Sequence, residues 1–116
     1  MSEMPSTEVA NVIRGALAGA IPVRGIDAIG PWERLGGYDV RFAFGDWELS
    51  IFNDGGGVDY IDRAVAPDGR VGDYDTWGAE AGAGWACPLR HLEPREVAAL
   101  DALLARATQM AGCLTP

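Results

Sequence analysis

Tyr38 to Ala66 reads YDVRFAFGDWELSIFNDGGGVDYIDRAVA, and the alternation within it decides the fold. Tyr38, Val40, Phe42 and Phe44 are separated by Asp39, Arg41 and Ala43, the period-two pattern of a strand with one buried face. Gly45-Asp46 follows, a two-residue turn with glycine at the first central position, as a tight hairpin uses. Trp47, Leu49 and Ile51 resume one apolar face, while Glu48 and Ser50 turn to water. Asn53 to Gly57 predicts a second, looser turn, and Val58 to Ala66 the next strand. There Ile61 and Val65 are expected opposite Tyr60, a mixed pattern that points to a bulge or to burial on both faces. Pro67-Asp68-Gly69 is a strong turn signal, and Arg70-Val71 opens a short edge strand.

Outward from this meander, the N-terminal side carries Val9, Val12, Ile13, Ala16, Leu17 and Ala20 at helical spacing. Ser6 or Thr7 is the expected cap, Glu8 suits the first turn, and Pro22 ends the helix. Gly15 and Gly19 each weaken it by roughly 1 kcal/mol if interior, so it depends on packing against the sheet. Val23 to Pro31 reads as a connector with a short strand at Ile26 to Ile29, and Trp32 to Leu35 as a strand closed by Gly36-Gly37. On the C-terminal side, Gly72 to Leu89 is rich in Gly and Ala and reads as an ordered loop pinned by Trp77 and Trp85. Pro94 suits the first position of a second helix, with Val97, Leu100, Leu103, Leu104 and Ala107 as its apolar stripe and Gly112 as its end. The expected fold class is α+β: an antiparallel meander of four to five strands, packed on one face by an N-terminal and a C-terminal helix as a two-layer sandwich. The other sheet face would carry Asp39, Arg41, Glu48 and Ser50. One domain is expected over residues 1–116, with residues 1–5 a disordered lead-in and 111–116 a frayed tail.

With 116 residues, 48% of them hydrophobic, the chain can bury a core without staples. It has no apolar run of transmembrane length. Glu3 and Glu8 stand where a secretory leader would be basic, and Pro22 interrupts the only comparable apolar stretch, so a cytoplasmic location is expected. Cys87 and Cys113 read as free thiols in a reducing compartment, with a bridge between them the alternative. The formal net charge of −8 is not spread evenly: residues 27–80 hold twelve acids against four arginines, and the five acids and five arginines elsewhere cancel. Such a field repels nucleic acid and attracts a basic protein surface.

No catalytic or cofactor signature accompanies this charge. Asn53, Asp54, Asp59 and Asp62 flank a glycine turn and could offer oxygens to a hard cation, but no EF-hand spacing is present. Solvated acids at a hairpin are the plainer reading. A carboxylate pair of the glycosidase kind is conceivable for Glu48 beside Asp39 or Asp62; an exposed polar sheet face outweighs it. Cys87 and His91 lack the partners of a nucleophilic site, and the serines show no nucleophile elbow. Of the tryptophans Trp32, Trp47, Trp77 and Trp85, Trp77 or Trp85 is expected to be partly exposed, as a partner contact would be.

The run Trp47 to Gly69, especially Ile51-Phe52-Asn53-Asp54, Val58-Asp59-Tyr60, Asp62 and Ala66-Pro67-Asp68-Gly69, together with the helix region from Pro88-Leu89 through Leu104, resembles a small bacterial family of unknown function over residues 6 to 107. Gly55 and Ile61 stand where members of that family often have cysteines. The resemblance implies a fold and no activity.

The expectation for function is a non-enzymatic acidic module that binds a basic protein partner, of the inhibitor or immunity type, anti-CRISPR-like for example. Its nominated contact residues are Asp46, Glu48, Asp54, Asp59, Asp62 and Trp77, and charge reversals at Asp46, Asp54 and Asp59 are expected to weaken capture. No catalytic residue, metal ligand, cofactor, membrane or direct nucleic-acid contact is nominated. The alternatives are a metal-dependent or small-molecule enzyme using Asp54, Asp59 and Asp62, and a homodimeric structural protein.

Overall fold

A computed structural model of the chain describes residues 4–27, 30–81 and 87–113, with backbone alone at 78–81 and 109–113. Five antiparallel strands lie in sequence order across one sheet: β1 (Val23–Gly25), β2 (Asp39–Phe44), β3 (Trp47–Asp54), β4 (Gly57–Val65) and β5 (Val71–Asp73). Helix α1 (Ser6–Leu17) precedes them, α2 (Tyr74–Ala81) follows β5 directly, and α3 (Pro94–Cys113) closes the chain. The expected α+β sandwich of an open antiparallel sheet with terminal helices is therefore the fold.

Register explains which side chains meet the helices. Val40 pairs with Ile51 and Phe42 with Leu49 across β2 and β3, and Leu49 pairs with Ala64 and Ile51 with Ile61 across β3 and β4. Opposed residues share a face, and all six of these side chains are buried, together with Val9, Ile13, Leu100 and Leu104 from α1 and α3. The two terminal helices also pack on each other, so both lie on this face, as expected. Alternate residues point to the other face, where Asp39 and Arg41 are exposed and Glu48 and Ser50 are half-buried.

Strand β4 is longer than the stretch of β3 it accompanies, and its pairing skips Asp62 between Ile61 and Arg63 and Asp59 between Val58 and Tyr60. Each skipped residue is the unpaired extra of a β-bulge. One consequence corrects the sequence reading: Ile61 is opposite Tyr60 as expected, but Val65 pairs with Glu48 and Val71 on the same face as Tyr60. The bulge at Asp62 resets the alternation, which a period-two count does not see.

Other local expectations change for identifiable reasons. Trp32–Arg34 forms a 3-10 turn where a strand was expected, and the first strand is Val23–Gly25, upstream of the expected site. Of that site, Ile26 and Asp27 are described and lie outside the strand, while 28–29 lie outside the described residues. The turn at Asn53 to Gly57 is tight, not loose. Asp54 pairs with Gly57, and Gly55 and Gly56 take φ of 66° and 97°, the left-handed pair of a type I′ hairpin. The Gly72 to Leu89 loop contains α2 and a 3-10 turn at Pro88–His91. Asp73 caps α2: its Oδ1 accepts from the Thr76 N–H at 2.9 Å, and the Asp73 N–H donates to Thr76 Oγ1 at 2.9 Å, a reciprocal capping box. Helix α1 has Pro5 at its N-cap with no side-chain cap, and ends at Leu17, before the expected Ala20. Gly19 at φ 83° donates to Ala16, and Ala20 donates to Gly15, a Schellman ending. Helix α3 passes Gly112 to Cys113. Met4, placed by the sequence in a loose lead-in, is fully buried.

Candidate functional site

The face away from the two terminal helices carries the unusual chemistry. Asp39 pairs with Phe52 and Phe52 with Tyr60, so one row of the sheet runs Asp39, Phe52, Tyr60. Phe52 and Tyr60 stack with ring centroids 5.2 Å apart and planes at 24°, and Tyr60 meets Tyr74, the first residue of α2, at 5.0 Å and 62°. This aromatic line is bordered by carboxylates. Asp62, lifted out of pairing by its bulge, hydrogen bonds with Asp39 across the intervening strand β3. A like charge held this close disfavours ionisation of its neighbour. Desolvation by the surrounding side chains, the Asp62 hydrogen bond and the charges of Asp62 and Asp27 push Asp39 up to about 6.

Beyond Tyr60 the sheet falls away into a cleft of about 520 Å³, lined by Tyr60, Asp62, Arg63, Asp73, Tyr74 and Asp75. The bulge puts Asp62 and Arg63, neighbours in sequence, along the same cleft. Burial and the nearby charges of Asp62, Asp39 and Asp59 raise the Tyr60 phenol, so the hydroxyl stays neutral. A second, smaller hollow of about 260 Å³ lies between Arg41, Glu48, Ser50, Arg63 and Val65. Here the charges are matched. Arg41 Nε donates to Asp27 at 2.9 Å, and Nη1 donates to Glu48 at 3.1 Å. Partial desolvation works against the Asp27 carboxylate, but the backbone N–H and guanidinium of Arg41 prevail and hold it below its ordinary range.

The six nominated contact residues do not form one patch. Glu48 and Asp62 lie on the open face, Glu48 engaged by Arg41 and Asp62 by Asp39. Asp54 and Asp59 are exposed at the β3–β4 hairpin, while Asp46 is exposed at the β2–β3 hairpin, at the other end of β3. The seven residue steps from Trp47 to Asp54 separate those ends by roughly 23 Å. Trp77 is not partly exposed: it is fully buried, stacked against Gly72, where an added Cβ would lie 3.0 Å from its ring. Its indole N–H donates to the Met4 carbonyl at 3.0 Å. Trp85 lies outside the described residues. Sequence reading overlooked Tyr60, Tyr74, Asp73 and Asp75 as site residues, and weighed Asp39 only as a member of a carboxylate pair. The Asp39-Phe52-Tyr60 row follows from the hairpin register once both turns are known to be two residues long; the Tyr74 contact needed α2.

The remaining candidates resolve into structure. Asn53, at the acidic turn, is fully buried; its Nδ2 donates to the Trp32 carbonyl and its Oδ1 accepts from the Gly56 N–H, both at 2.8 Å. Asp101 of α3 clamps the same corner, accepting from Trp32 Nε1 at 3.1 Å and from the Val58 N–H at 2.8 Å. Cys87 is a buried free thiol, and burial pushes it up, away from thiolate chemistry; the Cys113 side chain lies outside the description. His91 Nε2 is 2.8 Å from the buried Ser6 Oγ and tethers α1 to the Pro88–His91 turn. Among the described residues no group of three or more His, Cys, Asp or Glu side chains is arranged to hold a metal ion. Among the same residues no helix is long and apolar enough to cross a membrane.

Residues 3–106 match the family described as Domain of unknown function (DUF7693), and the chain belongs to that family. No curated protein and no solved structure matches it.

Proposed function

We propose that this DUF7693 domain is a non-enzymatic binding module whose open, acidic sheet face engages a basic surface on a protein partner, as an inhibitor or immunity-type protein does. The carrying observation is the division of the sheet. Its helix-covered face is packed, whereas its open face holds Asp39, Asp62, Asp73 and Asp75 around an aromatic line, and no salt bridge to any of these four is present among the described residues. Uncompensated like charge destabilises a free surface and is relieved when a cationic partner arrives. The test is affinity capture from the native lysate at several salt concentrations, with the wild type and with an Asp62→Asn/Asp73→Asn/Asp75→Asn variant. Asparagine keeps side-chain shape and still caps α2. A basic partner whose capture weakens with salt and in the variant supports the reading. Equal capture by both, at every salt concentration, sinks it.

A second reading, a small-molecule enzyme, draws on the Asp39–Asp62 pair alone, since a carboxyl held protonated toward neutral pH can act as a general acid. It uses Asp62 of the expected acidic trio but not Asp54 or Asp59. A thermal-shift screen with small metabolites, in which a stabilising compound loses its effect on Asp39→Asn, would favour it over the binding module.

A further inference from the structure

The geometry points to the cleft between β4, β5 and α2 as the seat of one arginine side chain of the protein partner. This rests on the binding reading above and names its anchor. The cleft, about 520 Å³, falls within the roughly 300–1,000 Å³ of sites that enclose small ligands, ample for one long side chain and its flanking backbone. Its apolar wall is the Tyr60–Tyr74 corner, two rings at 62° with Phe52 stacked behind Tyr60. Such rings attract a cation over their faces, and a planar guanidinium also stacks on them.

The acids come from three separate elements, which suits a fork better than a point charge. Asp62 rises from the β4 bulge, Asp73 ends β5, and Asp75 sits in the first turn of α2. Asp73 uses Oδ1 for the Thr76 cap and keeps Oδ2 for a ligand. Asp75 makes no hydrogen bond or ion pair among the described residues. A guanidinium offers five N–H donors in a plane and can reach acids on separate elements at once; an ammonium offers three donors from one point.

Arg63 supplies an internal check. It lines the same cleft and stands opposite Asp73 in the β4–β5 register, yet forms no salt bridge among the described residues. An incoming arginine meets this like charge. Removing Arg63 therefore strengthens binding while removing Asp75 weakens it, two opposite effects that a general loss of structure does not produce.

The experiment titrates blocked Gly-Arg-Gly, Gly-Lys-Gly and Gly-citrulline-Gly tripeptides, and agmatine, into the isotopically labelled full chain and follows amide shifts by NMR. The expected result is weak binding of the arginine peptide, with shifts centred on residues 60–63 and 73–75, weaker binding of the lysine peptide and none of the citrulline peptide. Affinity falls about threefold in Asp75→Asn, the size of one lost exposed ion pair, and rises in Arg63→Gln. No shifts in the cleft, equal response to citrulline, or affinity that drops in Arg63→Gln overturns the assignment. Agmatine binding more tightly than the arginine peptide overturns a protein source for the cation. If open-face variants lose the partner while the arginine peptide ignores the cleft, the anchor is wrong and the binding module stands. If the peptide binds the cleft but the variants keep the partner, the broader reading is the one that fails.

Discussion

The two faces of this sheet are built from the same strands, yet they treat polar groups in opposite ways. On the helix side, buried Asn53 has hydrogen-bond partners for both ends of its amide, and Asp101 reaches into the same corner to bind two donors. On the open side, Asp62 crowds Asp39 and pushes it up to about 6, and Asp75 makes no ion pair among the described residues. Satisfied buried polar groups rigidify a fold, and each is costly to disrupt. Unmatched surface charge adds little to the stability of the free fold; it keeps a chain in solution and is relieved when a cationic partner arrives. The contrast assigns stability to one face and, in the reading proposed above, recognition to the other.

The sharpest attempt to break that contrast is Asn53→Ala. It strips one of two donors from the buried Trp32 carbonyl, orphans a half-buried Gly56 N–H and empties a fully buried site, and is expected to destabilise by about 3 kcal/mol, read as a lower urea midpoint. Asp101→Ala releases the Trp32 indole and the Val58 N–H at a half-buried position and should lose about 2 kcal/mol. If either substitution were silent, the helix face would not be the stabilising one. At the margin between the faces, Asp73 both caps α2 and lines the cleft. Asp73→Ala should lose about 1 kcal/mol, while Asp73→Asn keeps the cap and changes only the charge.

The smallest effect is the most diagnostic. Asp39 titrates above its unfolded value, at about 6. The stability it contributes is thus fully present below its unfolded pKa and is lost as pH rises through the folded one. Asp27, Asp68 and Glu96, held low by arginine partners, act in the opposite sense and lose their contribution as pH falls. Asp39→Asn imitates the protonated acid and still donates to Asp62. Its melting temperature relative to wild type should therefore climb between about pH 4 and pH 7. The groups facing it, Asp62, Asp27, Arg41 and Tyr60, are the same in both proteins, so the difference isolates the pair. A constant difference across that range would show that Asp39 does not titrate above its unfolded value in the fold.

Most of the fold was legible because period-two alternation and glycine turns act locally. Val40 to Ile51 could be assigned to strands from residue order alone, and Pro94 with Val97, Leu100 and Leu104 marked a helix. What escaped reading depends on contacts between distant segments. Trp32 looks like a strand residue until Asn53 and Thr108 take its backbone groups. The capping pair Asp73 and Thr76 was not picked out, the glycines and alanines after it favour no state strongly, and Trp77 is buried through Gly72 and Met4. The candidate site was only half legible. The acids and Tyr60 were in the right stretch, but two bulges decide which side chains lie together, and their positions are set by strand pairing and not by composition.

The claim that one face stabilises and the other recognises is tested most directly by an Asp39→Asn/Asp62→Asn variant, with melting temperature and partner capture measured on the same preparation at neutral pH. The account predicts that the variant melts at or above the wild type, because carboxylate crowding is relieved, while its capture of the basic partner falls. A variant that melts well below the wild type, or that captures the partner equally well, would contradict it.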